Sequence, residues 1–136
     1  MVETCRHLFV YGTLKSKATG ALGHVERARL ARDSRSLGTA TMNGARLFDL
    51  GRYPGLVESD TASDVVHGEV LLLANPARTF IWLDAYEGVL AGDPAGSDYA
   101  RHERKVRLQR GTEVDAWVYV FLKDVRRRRA IASGRW

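Results

Sequence analysis

Two carboxylates stand close together in the stretch LDAYEG, Asp84 and Glu87, and both could do acid–base chemistry. On a helical wheel Glu87 falls between Phe80 and Leu83, so a charge is set beside a row of large apolar side chains. It also belongs to the last helical turn, where the helix dipole opposes negative charge. Burial and dipole would both raise its pKa, as a general base for an amine or a water near neutral pH requires. A plainer reading makes Glu87 a surface acid or the partner of an arginine. With Trp82 and Tyr86 pointing the other way the helix is apolar nearly all round, and the wheel alone slightly favours that plainer reading. Asp84 is the rival carboxylate, and periodicity does not separate the two.

The second candidate is main chain rather than side chain. Residues 8–15, LFVYGTLK, read as a buried strand that ends abruptly in a glycine. If the chain turns sharply at Gly12, the successive N–H groups of Gly12, Thr13 and Leu14 can converge on one anion or one developing oxyanion. A glycine after a strand more often marks only a turn. A phosphate loop is excluded, because the GxxxxGK spacing is missing. The four histidines, 7, 24, 67 and 102, have no metal-ligand spacing. Cys5, the single cysteine, has neither a disulfide partner nor a CxxC mate, and no serine or cysteine has a base nearby in sequence. No metal site and no covalent nucleophile are expected.

The elements that must position these groups follow from periodicity. HLFVYG, 7–12, is a first strand apolar on both faces and hence central. The stretch 16–33 suggests a short helix after Gly20. SLGTATMNGARLFDL reads as two strands joined in a hairpin at Asn43-Gly44, a type I′ turn signal. YPGLVES, 53–59, is a turn and a short strand, and VVHGEVLLLA, 65–74, is another strand. NPARTFIWLDAYEG is a helix with Asn75 as N-cap, Pro76 in the first turn and Gly88 closing the far end. After a loop rich in small residues, YARHERKVRLQ and EVDAWVYVFL make two final strands about a turn at Gly111. This order predicts an α+β fold with a mixed, mostly antiparallel sheet curling into a small β-barrel with flanking helices.

At 136 residues, 45% hydrophobic and 27% charged, the chain has the profile of one globular domain. The longest apolar run, VLLLA, is far too short to span a bilayer, and MVETCRHLF does not read as a secretory signal. A cytoplasmic protein without a membrane partner is expected. The net charge of +5 is local: Lys123–Trp136 carries six basic residues against one acid, leaving fifteen of each sign in the rest. The chain therefore divides into a domain at 1–122 and a basic C-terminal tail at 123–136. Such a tail attracts nucleic acid without specificity, and no interleaved aromatics accompany it, so no specific nucleic-acid partner is expected.

Taken in order, LFVYGTLK, YPGL at 53–56, HGEVLLL at 67–73, LDAYEG at 83–88, Y-x-R at 99–101 and AWVYVF resemble the γ-glutamylcyclotransferase-like superfamily. The YGTLK form is closest to its AIG2-like, γ-glutamylamine cyclotransferase branch. The resemblance implies a small barrel with helices packed outside and a cavity between the YGTL loop and the LDxYEG acid. It implies that Glu87 is the catalytic base in a cofactor-free reaction on a γ-glutamyl amine or amide. The α-amine would attack the γ-carbonyl and 5-oxoproline would be released. Gly12, Thr13 and Leu14 would hold the substrate through backbone donors, and Tyr99 would contact the glutamyl group. Tyr11 and Tyr119 would line the wall or belong to the core. A small-molecule γ-glutamyl substrate and a monomer or homodimer are the implied partners. The alternative is a binding module of the same fold that has lost turnover.

Overall fold

A computed structural model describes residues 5–15, 18 and 23–136. The chain runs β1 (His7–Val10), α1 (His24–Arg32), β2 (Ser34–Asn43), β3 (Ala45–Asp49), β4 (Pro54–Glu58), β5 (Val65–Leu73), α2 (Pro76–Glu87), β6 (Tyr99–Leu108), β7 (Glu113–Phe121) and β8 (Arg129–Ile131). Five strands close a barrel in the order β1-β5-β2-β6-β7, and β4-β3-β8 form a second sheet. Every barrel pairing is antiparallel except the seam, where β1 meets β7 in parallel with Leu8 opposite Trp117. The expected helix in 16–33 runs from His24 to Arg32, with Gly23 as its N-cap; the part of the expectation at 19–22 lies outside the described residues.

β1 is apolar on both faces because it separates two cores. Phe9 joins a cluster with Met42, Val66, Val70, Val118 and Val120 that fills the barrel and reaches Leu47 and Leu56 of the second sheet. Leu8 and Val10, one residue to either side, point the opposite way, into a cluster with Leu30 of α1 and with Phe80 and Leu83 of α2. β7 alternates likewise, Val118 and Val120 inward and Tyr119 outward. α2 is thereby clamped over the seam, and its last turn comes to the end of β1 where the YGTL loop begins.

The ends of α2 are those its sequence prescribes. The Asn75 side chain accepts from the Arg78 N–H at 3.1 Å, Pro76 opens the helix, and Gly88 closes it at a φ of +77°. An N-cap of this kind contributes about 1 kcal/mol.

Two expectations are corrected. Asn43-Gly44 does not close a hairpin: β2 pairs with β5 and β6, while β3 pairs with β4 and β8. A type I′ turn needs positive φ at both central residues, and here only Gly44 has it, at +75°. The chain instead turns a corner from barrel to second sheet, held by Gly44 N–H on the Asp64 carbonyl at 2.8 Å. The segment 123–136, expected as a tail outside the domain, is tied into the fold. β8 pairs with β3 through Ile131, Ala130 and Arg129, and the Gly134 carbonyl accepts the His67 N–H at 2.8 Å. The arginine run at 126–129 itself stays exposed. Among the described residues, no helix is long and apolar enough to cross a membrane.

Candidate active site

The loop after β1 is shaped by a close approach. A Cβ on Gly12 would lie 2.8 Å from both Cδ and Cγ of Pro54, so only glycine lets the YPGL turn press against the YGTL loop. The Lys15 N–H returns to the Gly12 carbonyl at 3.1 Å and makes the segment a tight turn. Among the described residues, the N–H groups of Gly12, Thr13 and Leu14 have no acceptor. Three neighbouring donors are thus left for something else to meet.

These three residues line a cavity of about 250 Å³ together with Tyr11, Glu87, Tyr99 and Tyr119. All seven site residues named from the sequence therefore meet in one hollow. It has room for a ligand of about one amino acid, and its walls are mainly aromatic and aliphatic.

Glu87 is partly buried and, among the described residues, makes no hydrogen bond through its carboxylate. Burial, and second the nearby charge of Asp84, push its pKa up to about 7. Asp84 has a different fate. Its two oxygens take a bidentate pair from Arg101, at 2.9 and 3.1 Å, and Oδ1 also accepts the Tyr119 hydroxyl at 2.7 Å. The Arg101 guanidinium lies between Phe80 and Trp117, 3.7 and 4.3 Å from the ring centroids. One carboxylate is held by three hydrogen bonds and fixes α2 to the barrel; the other lines the cavity and, among the described residues, keeps its acceptors unspent. This is the distinction that the wheel leaves open.

The tyrosines serve two purposes. Tyr11 donates to the Tyr119 carbonyl at 2.6 Å, Tyr99 to the Pro54 carbonyl at 3.0 Å, and Tyr119 to Asp84. Burial foremost raises all three above the ordinary phenol range, so they remain neutral donors. The two readings of Tyr11 and Tyr119, wall and core, are therefore both met: each is buried and each lines the cavity.

Sequence reasoning missed several lining residues, among them Tyr53, Pro54, Tyr86 and Asp98. Tyr86 corrects an expectation. Although its Cα direction on α2 turns away from the Glu87 face, its ring swings to the cavity rim, where its hydroxyl interacts with the Thr13 side chain. Signals for the others existed. YPGL lay in a recognisable motif, and Y-x-R places Tyr99 and Arg101 on one face of β6 by the strand period of two. Among the described residues, no group of His, Cys, Asp and Glu is placed to hold a metal ion.

Comparison with known proteins agrees with this architecture. Residues 8–136 match the family model described as gamma-glutamyl cyclotransferase, AIG2-like. The gamma-glutamylcyclotransferase family protein YtfP of Escherichia coli (strain K12) is 33% identical over 129 residues, covering 95% of this chain and 94% of that protein. The solution structure of Escherichia coli ytfP superposes with a TM-score of 0.63 at 29% identity, over 96% of this chain and 95% of that one. The crystal structure of an AIG2-like protein from Mus musculus shares the fold, with a TM-score of 0.66 at 20% identity over 92% of this chain and 82% of that one. With a closed mixed barrel, two flanking helices and a family match over nearly all its length, the chain belongs to the AIG2-like gamma-glutamyl cyclotransferase family.

Proposed function

We propose that the protein is an enzyme that cyclises the γ-glutamyl group of a γ-glutamyl amine or amide, releasing 5-oxoproline and the free amine. The observation that carries this reading is the pairing, across one small cavity, of the Glu87 carboxylate with the main-chain N–H groups of Gly12, Thr13 and Leu14, none of which has a hydrogen-bond partner among the described residues.

The chemistry follows from those two parts. Glu87, in its ionised form, takes a proton from the substrate's α-ammonium. The freed nitrogen lone pair attacks the γ-carbonyl carbon, and a five-membered ring closes. The N–H groups of Gly12, Thr13 and Leu14 meet the negative charge of the substrate and of the developing oxyanion. The tetrahedral centre then collapses and the bond to the leaving nitrogen breaks. The proton held by Glu87 passes to that nitrogen, and Glu87 then takes the second proton of the ring nitrogen, leaving neutral 5-oxoproline, and yields it to the released amine, which departs as its ammonium. No water is consumed, and the atoms of the substrate are divided between the two products. Folding the glutamyl arm inside so small a hollow makes the attack intramolecular and supplies much of the acceleration.

Tyr99, Tyr11 and Tyr119 contribute mainly as walls. Their hydroxyl protons are committed to the scaffold, so they fix the cavity's shape; the Tyr11 oxygen also accepts the Leu56 N–H at 3.4 Å, while those of Tyr99 and Tyr119 retain lone pairs for a substrate ammonium. The low polarity they create is also what holds Glu87 near neutrality.

Incubation with a panel of γ-glutamyl amines and amides, γ-glutamyl-ε-lysine among them, tests the proposal. Stoichiometric 5-oxoproline and free amine are expected from at least one compound. Release of glutamate in place of 5-oxoproline would refute ring closure. Binding of the panel with no release at all would make the protein a binding module.

A further inference from the structure

The opening of the Glu87 cavity is marked by those of its lining residues that reach solvent. Tyr53, Tyr86 and Asp98 are exposed, and the rest of the lining is buried or half-buried. The three gather about one point. After burial and Glu87, Tyr53, Asp98 and Tyr86 are the further causes that push the Tyr99 phenol upward, so each lies within electrostatic reach of the same hydroxyl. The mouth of the cavity is thus made of two phenol rings and one carboxylate.

Asp98 is fixed there by its main chain. Its N–H donates to the Gly88 carbonyl at 3.0 Å and its carbonyl accepts the Leu122 N–H at 2.9 Å, so the residue ties the end of α2 to the end of β7. Beside it, the buried Ser97 hydroxyl accepts the Leu90 N–H and donates to the Asp93 carbonyl, both at 2.8 Å, and closes the loop at 88–98 on itself. The Asp98 side chain packs over Gly88. A Cβ at that position would lie 2.9 Å from Asp98 Oδ2, so the glycine that ends α2 also leaves the space the carboxylate occupies. Among the described residues, this carboxylate has neither a hydrogen bond nor an ion pair. The basic side chains of the adjoining strands are engaged elsewhere, Arg101 on Asp84 and Lys123 on the Ala95 carbonyl at 3.0 Å. From α1, Glu26 and Arg27 act on the Tyr86 phenol in opposite directions. The Tyr53 and Tyr86 rings have no stacking or cationic partner among the described residues. A carboxylate held in place beside two open rings is suited to a cation.

A hollow of about 250 Å³ takes the glutamyl group and little more, so the substituent on the scissile nitrogen extends through this mouth. That nitrogen is an uncharged amide until its bond breaks. Any charge read at the mouth must therefore be a second one, carried further along the amine. We infer that Asp98, with Tyr53 and Tyr86, is a specificity-determining site that favours leaving amines bearing a second, cationic group a few bonds from the departing nitrogen. The inference rests on the cyclotransferase reading of the cavity and names the substrate class that reading leaves open.

The test uses three γ-glutamyl compounds of equal reach, those of 1,4-diaminobutane, butylamine and 4-aminobutanoate. Affinity is measured by calorimetry on Glu87→Gln, and kcat/KM on the native protein. The diaminobutane compound is expected to exceed the butylamine compound by about tenfold, since one exposed ion pair and one exposed ring contact each contribute a few-fold. The aminobutanoate compound is expected to be the poorest. In Asp98→Asn the cationic-to-neutral ratio is expected to fall to about twofold, the part left to the rings, and the anionic compound to approach the neutral one. Asp98→Glu is expected to keep part of the preference, and Asp98→Asn/Tyr53→Leu to lose what remains. The ratio is also expected to shrink at roughly 0.5 M salt, where the Debye length is only a few ångströms. Because the Asp98 carboxylate holds no other part of the structure, Asp98→Asn is expected to fold, which its thermal denaturation checks. Equal handling of the cationic and neutral compounds, a preference that survives Asp98→Asn, or no binding of any compound would overturn the inference. So would an Asp98→Asn variant weakened toward all three compounds by one common factor, since that marks a structural role. Release of 5-oxoproline without a cationic preference refutes the mouth assignment and leaves the reaction standing. A cationic binding preference that Asp98→Asn abolishes, with no release from any compound, does the reverse.

Discussion

Glu87→Gln is expected to reduce 5-oxoproline release by about 10²–10⁴-fold, the usual contribution of a positioned general base, while the fold is retained. The substitution keeps shape and size and removes only the capacity to take a proton. Because the carboxyl is held at a pKa of about 7, native kcat/KM is expected to rise with pH through about 7 as Glu87 ionises. The same shift has a thermodynamic signature. A carboxyl whose folded pKa lies above its unfolded value binds more protons when folded, so its favourable contribution is complete below the unfolded value of 4.5 and is lost as pH rises through about 7. Glu87→Gln is therefore expected to be more stable than the native protein at pH 8, by about 1–3 kcal/mol, and little different at pH 5. Thermal denaturation at the two pH values reads this directly. An inactive variant that gains stability only at high pH identifies a carboxylate kept in an unfavourable place for its chemistry. A variant with native activity removes Glu87 from the reaction.

Asp84→Asn should show two large effects from one lost charge. The first is on stability. Arg101 is fixed between Phe80 and Trp117 and donates its two strong hydrogen bonds to Asp84, with both side chains less than a quarter exposed. Removing the acid leaves a largely desolvated guanidinium without its counter-charge, at a cost of about 2–3 kcal/mol. The second is on the acid limb of the rate profile. Asp84 is the second cause, after burial, of the raised pKa of Glu87, so its neutralisation moves that limb to lower pH while burial keeps it above the ordinary carboxylate range. A substitution that only loosened packing would lower activity at every pH without moving the limb. An unmoved limb together with native stability would contradict the division of labour between the two acids.

Much of the barrel is legible in the residues themselves. β1 and β7 are apolar on both faces because each separates the barrel core from the cluster under the helices, and a strand buried on two sides has no polar alternation to show. The ends of α2 are written locally by Asn75, Pro76 and Gly88. What is not legible depends on partners distant in sequence. Asn43-Gly44 has the composition of a hairpin turn, yet β2 finds its partners in β5 and β6, and pairing overrides the local signal. The C-terminal segment reads as a charge run because its few apolar anchors are short, and only the edge of β3 explains why it docks.

The candidate site shows the same limit. A wheel places Asp84 and Glu87 near one face but does not say which meets an arginine. That answer comes from Arg101, on a strand that enters the sequence only after the loop at 88–98. Selecting Glu87 before the fold is known rests on the family resemblance. Tyr86 escapes even that, because a long side chain at the end of a helix reaches a rim its Cα direction does not face.

The most direct measurement is a crystal structure with 5-oxoproline bound. The account predicts the ligand in the 250 Å³ cavity, an oxygen on the N–H groups of Gly12, Thr13 and Leu14, and the ring nitrogen within hydrogen-bonding reach of the Glu87 carboxylate. A ligand seated in that cavity with its ring nitrogen turned away from Glu87, or a cavity left empty at saturating 5-oxoproline, would contradict it.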